Sequence, residues 1–333
     1  MTIKKYLKEP VESLFAEHPC ARDWLEQISC VITPGDTLYD VLYKQKESFY
    51  VSQNMNARMI ARQFGDYLQV MQDMLEQPVQ AVKTITICPG HGKTGEPEQF
   101  APLTFHPGDI IAVVGPTGSG KSRLLEDIEC GAGGNTPTGR RMLINNEALP
   151  KNRKRRARQR MAAQLSQNMN FVIDLTVREF LSMHARCWPA ANTSGRIERI
   201  LELANSLAGE KFAMESNVAQ LSGGQSRALM IADCALLSYA PIVLIDEIEN
   251  AGINRRKALE LLTGEDKIVF LTTHDPLLAL LAHTRLVIKN GGIFSVIQRT
   301  KKEEETLRKL EAADNKMLEL RTMMRGGELL EDL

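Results

Sequence analysis

One short motif constrains the fold of this 333-residue chain more than any other feature of its sequence. The motif has the form G-x-x-x-x-G-K-[ST], a loop whose backbone N–H groups surround a bound phosphate. A buried strand is predicted over 109–114, before the motif, and a helix from about 121 to 128, which gives the strand–loop–helix context that the motif requires. Its residues are Gly115, Pro116, Thr117, Gly118, Ser119, Gly120, Lys121 and Ser122.

The residue types of this loop suit a triphosphate, which brings about four negative charges into a crevice. Gly118 and Gly120 let the loop curl so that its N–H groups point inward. The positive end of the following helix points at the same phosphates. Lys121 supplies a cation for the β- and γ-phosphates, and the hydroxyl of Ser122 is a predicted Mg²⁺ ligand. The next residue, Arg123, completes the predicted nucleotide-binding segment.

A second motif lies about 100 residues further along the chain. It consists of Leu221, Ser222, Gly223, Gly224 and Gln225, and it is predicted to open a helix that reaches about residue 237. This LSGGQ sequence resembles the signature of the ATP-binding cassette (ABC) ATPases. In that family the signature closes on the ATP held by the opposite subunit. The resemblance therefore implies a second cassette, most simply a second copy of this chain.

Two carboxylates end the apolar run over 242–245. Asp246 is predicted to hold Mg²⁺ through water, and Glu247 to polarise the attacking water. His274 follows the apolar run over 268–271 and resembles the switch histidine of the ABC family. An imidazole at this place can donate a hydrogen bond to the γ-phosphate at neutral pH.

A glutamine ligand completes the pattern that the resemblance implies. Gln167 is the candidate, because the pair Thr176 and Val177, a usual companion of the family's glutamine, follows nine residues later. Its amide is expected to reach Mg²⁺ or the attacking water. Gln164 is the alternative residue for this role.

The resemblance covers roughly residues 82–298 and implies an α/β P-loop NTPase fold. The family's cassette has a parallel core sheet, an antiparallel β subdomain and a helical subdomain that carries the signature. We therefore expect an N-terminal helical module over 1–80, an ABC cassette over 81–300 and a charged helical tail over 301–333. Apolar residues at helical spacing predict helices over 11–25 and 57–75. The tail has a narrow apolar edge, which suits either a docked element (a docking helix or a short coiled-coil arm) or a solvated helix.

The sequence departs from the family pattern at two places. The family usually has an aromatic residue that stacks on adenine, but the segment 88–92 contains no Phe, Tyr or Trp, and His91 is the possible substitute. After Glu247, Asn254 stands where an aspartate is expected and one residue is inserted. We therefore expect loose recognition of the base and altered communication between the two sites.

Composition excludes some functions and leaves others open. No run of about 18 apolar residues occurs and the start of the chain lacks a secretory signal, so we expect a cytoplasmic protein, either free or peripheral on the inner face of the membrane. The six cysteines are scattered, which argues against a structural zinc site. The net charge is zero. Seven of ten residues over 151–160 are basic, which indicates a solvated face or a contact with nucleic acid or anionic lipid.

Two main functions remain at the level of the sequence, beside a regulatory or binding role with weak hydrolysis. The first is the ATP-binding subunit of an ABC transporter, which binds and hydrolyses Mg-ATP and docks on integral-membrane subunits. The second is a soluble ABC ATPase that remodels a protein, a metalloenzyme or nucleic acid. The helical N-terminal segment and the charged tail favour the second function, whereas the frequency of transporters within the family favours the first.

Overall fold

The computed structural model describes residues 7–53, 55–76, 82–148, 161–166, 171–186, 195–238, 240–247, 253–327 and 330. The chain divides into two compact units, Met1–Gln80 and Ala81–Leu333. Among the helices described, we find none that has both the length and the apolar character needed to cross a membrane.

The first unit consists of helices around one apolar core. They are α1 (Val11–Glu17), α2 (Pro19–Gln27), α3 (Leu38–Tyr43), α4 (Glu47–Ser52) and α5 (Ala57–Glu76). Helix α5 agrees with the predicted helix over 57–75, and its buried Ile60, Phe64 and Leu68 lie one turn apart on the core side. The pattern over 11–25 corresponds to two helices instead of one. Pro19 lacks the N–H that would continue α1, so it starts α2 instead.

The second unit contains two sheets in its described residues. The strands are β1 (Ile85–Cys88), β2 (Leu103–Phe105), β3 (Ile110–Val114), β4 (Arg141–Ile144), β5 (Glu147–Ala148), β6 (Ala162–Leu165), β7 (Ile242–Asp246), β8 (Ile268–Thr272), β9 (Thr284–Lys289) and β10 (Gly292–Gln298). One sheet is antiparallel, in the order β2-β1-β4-β5. The other has the order β10-β9-β3-β8-β7-β6 and is parallel except for β10 at its edge.

Burial on both faces explains the unbroken apolar runs of β7 and β8. Successive side chains of a strand point to opposite faces of the sheet. Val243 and Ile245 belong to the core cluster on one face, whereas Ile242 and Leu244 belong to the cluster on the other. The second cluster also contains side chains of the antiparallel sheet, which therefore covers that face.

The helices of the second unit cover the sheets and build a subdomain of their own. The α-helices among the described residues are α6 (Lys121–Glu129), α7 (Val177–Arg186), α8 (Arg196–Leu207), α9 (Gly223–Leu236), α10 (Arg255–Gly264), α11 (Pro276–Leu281) and α12 (Lys301–Arg325), and a short 3-10 helix spans Val218–Gln220. One buried cluster joins α7, α8 and α9 through Leu181, Ile200 and Leu229. The signature motif thus belongs to a helical subdomain, as the resemblance implied.

The charged tail forms helix α12, and its apolar edge is docked. Leu307 and Leu310 pack with Leu277 and Leu280 of α11. Of the two alternatives that the sequence left open, the structure has the docking helix over 301–325.

Candidate nucleotide-binding site

The phosphate loop joins the end of β3 to the start of α6. Gly118 and Gly120 have φ angles of 76° and 109°, in the left-handed region that favours glycine. A Cβ atom on Gly120 would lie 2.8 Å from the Cα atom of Gly291, which belongs to the turn between β9 and β10. The N–H of Gly291 donates to the carbonyl of Ser119 over 2.7 Å. This turn therefore supports the loop from behind and requires glycine at its closest approach.

Lys121, the first residue of α6, reaches back over the loop. Its Nζ atom lies 2.9 Å from the carbonyl oxygen of Gly115 and 3.4 Å from that of Pro116, so the ammonium group donates to both. The side chain is buried. Ser119 Oγ is also buried, and it has no hydrogen-bond partner among the described residues. An ammonium group and an unsatisfied hydroxyl beside inward-curling backbone suit an anion.

The remaining loop residues are open to solvent. Pro116, Thr117, Gly118, Ser122 and Arg123 are exposed. Arg123 forms an ion pair with Glu126 over 2.7 Å, one turn along α6. The hydroxyl of Ser122 therefore stays accessible at the start of the helix, while the guanidinium of Arg123 has a partner outside the loop.

The acidic pair lies at the carboxyl end of β7. Asp246 Oδ1 accepts a hydrogen bond from Thr272 Oγ1 over 2.5 Å, and this bond fixes the carboxylate at the strand end. Glu247 has a φ angle of 48°. Such a left-handed backbone costs a non-glycine residue of order 1–2 kcal/mol, and it turns the Glu247 side chain away from the strand direction.

His274 lies between the lysine and the second carboxylate. Its Nε2 atom is 3.0 Å from Lys121 Nζ and 3.8 Å from Glu247 Oε1. The lysine ammonium has only protons to offer, so Nε2 of a neutral His274 accepts from it. Lys121, Glu247 and His274 thus meet beyond the carboxyl ends of β3, β7 and β8, although Lys121 and His274 are 153 positions apart in the sequence.

The loop after β1, where the adenine-stacking aromatic was expected, also reaches the phosphate loop. Lys93 Nζ donates to the carbonyl of Gly118 over 2.8 Å, and the backbone N–H of Lys93 donates to Asn290 over 2.7 Å. His91 is held by a backbone hydrogen bond to Thr138, and its ring faces Gly139. Sequence reasoning missed Lys93, because no motif spacing distinguishes it from any other loop lysine.

Of the two glutamine candidates, only Gln164 is among the described residues. Gln167 lies outside the described residues. Gln164 is an exposed residue of β6, paired in register with Leu244 of β7. Thr176 caps the start of α7, where its hydroxyl accepts from the backbone N–H of Glu179 over 3.2 Å.

The signature motif forms the start of α9. Ser222 and Gln225 make a reciprocal capping box: Ser222 Oγ accepts from the N–H of Gln225 over 3.3 Å, and Gln225 Oε1 accepts from the N–H of Ser222 over 2.9 Å. Gln225 Nε2 donates to the carbonyl of Glu210. Ser222 and Gly223 are exposed. The hydrogen bonds of the motif thus stay within the helical subdomain, and its outer side faces solvent.

Comparison with known proteins identifies the family. A family model described as "ABC transporter" matches residues 101–250. An uncharacterized ABC transporter ATP-binding protein of Methanocaldococcus jannaschii is 50% identical over 249 residues, which cover 75% of this chain and 95% of that protein. The chain belongs to the ABC family.

Other ABC proteins match smaller parts of this cassette. The thiamine import ATP-binding protein ThiQ of Yersinia pestis is 34% identical over 145 residues, 44% of this chain and 58% of ThiQ. The macrolide export ATP-binding/permease protein MacB of Aggregatibacter actinomycetemcomitans is 31% identical over 206 residues, 59% of this chain but 31% of MacB. The solved structure of cbiO1 from Clostridium perfringens, part of the ABC transporter complex cbiONQ, superposes with a TM-score of 0.53 at 19% identity over 72% of this chain and 98% of cbiO1, a likeness of fold.

As an ABC ATPase, the chain binds ATP together with Mg²⁺ and hydrolyses it. The residues at the site fit both. The accessible hydroxyl of Ser122 and the fixed carboxylate of Asp246 are oxygen donors, which Mg²⁺ prefers. When bound, Mg²⁺ neutralises charge on the β- and γ-phosphate oxygens.

Proposed function

We propose that this chain is the ATP-binding subunit of an ABC transporter and that it works as a pair of identical cassettes. Each ATP lies between the Lys121 loop of one copy and the Ser222 helix of the other. The observation that carries this proposal is the arrangement of the signature. Its glycines open α9 at an exposed N-terminal end. The side chains of Ser222 and Gln225 make their hydrogen bonds within the helical subdomain, so the outer N–H groups of this helix end are available to a nucleotide held elsewhere.

In this proposal, each residue around Lys121 has a separate role in ATP hydrolysis. Glu247 is the general base that takes the proton of the attacking water, and its left-handed backbone turns the carboxylate toward His274. Lys121 holds the β- and γ-phosphates. Asp246 and Ser122 hold the metal, with Gln167 as the further ligand. The phosphate loop Gly115–Arg123 binds the triphosphate through its backbone.

His274 has a role that depends on whether phosphate is present. In this structure Nε2 accepts from Lys121 across 3.0 Å. A γ-phosphate would take over the lysine ammonium and present only acceptor oxygens. Nε2 must then donate, which the neutral imidazole does by carrying its proton on Nε2 instead of Nδ1 after exchange with solvent, since the side chain is half exposed. His274 thus changes from acceptor to donor when ATP binds and reports the presence of the γ-phosphate to its own segment.

The dimer is tested with a variant that binds ATP but hydrolyses it slowly. Glu247→Gln with ATP and Mg²⁺ is expected to elute as a dimer in size-exclusion chromatography with light scattering. Adding Ser222→Arg should leave a monomer that still binds ATP, because the arginine fills the space for the partner's nucleotide. Ser222→Ala is the matched control, since it removes the same helix cap without adding bulk, and it should still dimerise. A Glu247→Gln variant that stays monomeric at saturating ATP would refute the sandwich arrangement.

The transport role rests on the relatives, whose names describe ATP-binding proteins of transporters. In this proposed role the cassette docks on integral-membrane subunits at the inner face of the membrane. The test is affinity purification of the full chain from detergent-solubilised membranes of its own host. Recovery of integral-membrane proteins in stoichiometric amount supports transport. Recovery of soluble proteins or nucleic acid alone would favour the remodelling ATPase instead; the basic run over 151–160, the candidate contact for nucleic acid, lies outside the described residues.

A further inference from the structure

The switch residue His274 is followed directly by a short helix on which the C-terminal helix packs. Asp275 caps α11: its Oδ1 atom accepts from the N–H of Leu277 over 2.7 Å, and its own N–H donates to Thr273 Oγ1 over 2.9 Å. Leu307 of α12 packs on Leu277 from the other side. The peptide that carries His274 is therefore held between β8 and a helix whose outer face is covered by α12.

An ionic bridge adds a specific link to this packing. Arg255, the first residue of α10, donates from Nη1 to the second carboxylate oxygen of Asp275. From Nη2 it donates to Asp314 Oδ1 of α12 over 2.8 Å. The Arg255 side chain is 17% exposed and that of Asp275 20%, so solvent screens the Arg255–Asp275 pair less than an ordinary surface pair. Asp314 is more exposed, at 45%.

The geometry of the bridge makes both carboxylates necessary. A guanidinium is planar and presents its donors in a fixed fork, so pinning one side restricts the direction of the other. Asp314 pins Nη2, and this orients Nη1 toward Asp275. Asp275 in turn fixes the first turn of α11, one peptide bond after His274.

We propose that Asp314 of the C-terminal helix is a positioning residue for ATP hydrolysis, acting on His274 through Arg255 and Asp275. The inference rests on the proposed role of His274 in the site. It assigns the charged tail a function in turnover: α12 holds the switch histidine at its 3.0 Å distance from Lys121. Arg255, Asp275 and Asp314 are not among the residues proposed to bind nucleotide, so we expect loss of the bridge to affect turnover and leave ATP binding intact.

The same helix offers a matched control. Glu311, three residues before Asp314, forms an ion pair with Arg256, the neighbour of Arg255 on α10, over 2.6 Å. The Arg256 side chain is 57% exposed, and its other partner is Glu260 on its own helix. Both acidic residues thus join α12 to α10, but only Asp314 connects to the residue after His274.

The experiment compares steady-state ATP hydrolysis and ATP binding by the full chain carrying Asp314→Ala or Glu311→Ala. Alanine is favourable within a helix, so both variants retain α12. Displacing a catalytic group by 1 Å can lower the reaction rate about 100-fold, and a displacement of a fraction of an ångström lowers it less. We therefore expect Asp314→Ala to lower kcat about 5- to 10-fold. KM and the ATP dissociation constant should stay unchanged. Glu311→Ala should retain kcat, and Asp314→Glu, which restores the carboxylate, should recover most of it.

Two results would overturn the inference, and a third variant, His274→Ala, tests the proposed site independently of the bridge. Equal kcat values for the two alanine variants would refute it, as would an Asp314→Ala variant that loses ATP affinity in proportion to kcat. His274→Ala should abolish turnover. If His274→Ala is inactive while Asp314→Ala is normal, the bridge is wrong but the proposed site stands. If His274→Ala hydrolyses ATP normally, the proposed site itself is wrong.

Discussion

Replacing Arg140 with methionine should destabilise the second unit far more than an exposed arginine replacement does. Arg140 is fully buried, and so are its two carboxylate partners. It donates to Glu98 over 2.6 Å, to Asp127 over 2.9 Å and to the carbonyl of Gly291 over 2.9 Å. Arg140→Met leaves two buried carboxylates without their cation, an imbalance that costs roughly 3–5 kcal/mol.

The loss of unfolding free energy is measurable as a fall in the melting temperature. For a unit of this size 1 kcal/mol shifts the midpoint by about 2–4 °C, so the expected fall is roughly 6–20 °C. Differential scanning calorimetry of the full chain measures it. Arg256→Met is the control, because Arg256 also joins two carboxylates but is 57% exposed; its loss should cost about 0–1 kcal/mol. If Arg140→Met melts no lower than Arg256→Met, burial does not determine the strength of this cluster and the reasoning is wrong.

Three further results are expected. Lys121→Ala should weaken ATP binding about 10- to 150-fold in a fluorescent-nucleotide titration, since it removes a charge-assisted hydrogen bond; unchanged affinity would exclude the site. Gly120→Ala should lose ATP binding more completely than Gly118→Ala, because its Cβ would meet the Gly291 backbone at 2.8 Å whereas Gly118 has open space; equal affinities in the same titration would contradict this. Burial raises the pKa of Cys234 to about 12, which leaves little reactive thiolate at pH 8, so maleimide labelling followed by peptide mass spectrometry should modify the exposed Cys130 well before Cys234.

The sequence predicts those parts of the site whose chemistry dictates residue type and spacing. A loop that wraps a phosphate needs glycine at fixed positions and a lysine at the helix start, and Lys121 is where that rule places it. His274 and Glu247 could be found because each follows an apolar run long enough to be a buried strand. Parallel strands then bring their carboxyl ends together.

Other contacts around the site leave no pattern in the sequence. Arg140 meets Glu98 across 42 positions and Asp127 across 13, and neither spacing corresponds to a helical or strand period. Lys93 reaches Gly118 only because the antiparallel sheet covers the phosphate-loop side of the core. These pairings are created by tertiary packing, and one sequence contains no signal for them. The break between α1 and α2 at Pro19, by contrast, could have been predicted, because a proline at a helix start has a known preference.

The segment after the acidic pair shows how a departure from the family pattern keeps its structural role. Asn254 replaces the expected aspartate, yet its side-chain oxygen accepts from the N–H of Lys257 over 3.0 Å, which an aspartate at a helix start would also do. Its own N–H donates to the carbonyl of Leu207 at the end of α8, in the helical subdomain. The next residue, Arg255, binds Asp275 beside the switch histidine. Asn254 and Arg255 therefore connect the signature subdomain to the segment that carries His274. Compared with the expected aspartate, Asn254 lacks a negative charge but keeps both hydrogen bonds. In the proposed dimer, a change in communication between the two ATP sites would therefore arise at the exposed surface of Asn254, since its hydrogen bonds to Lys257 and Leu207 within one copy are intact.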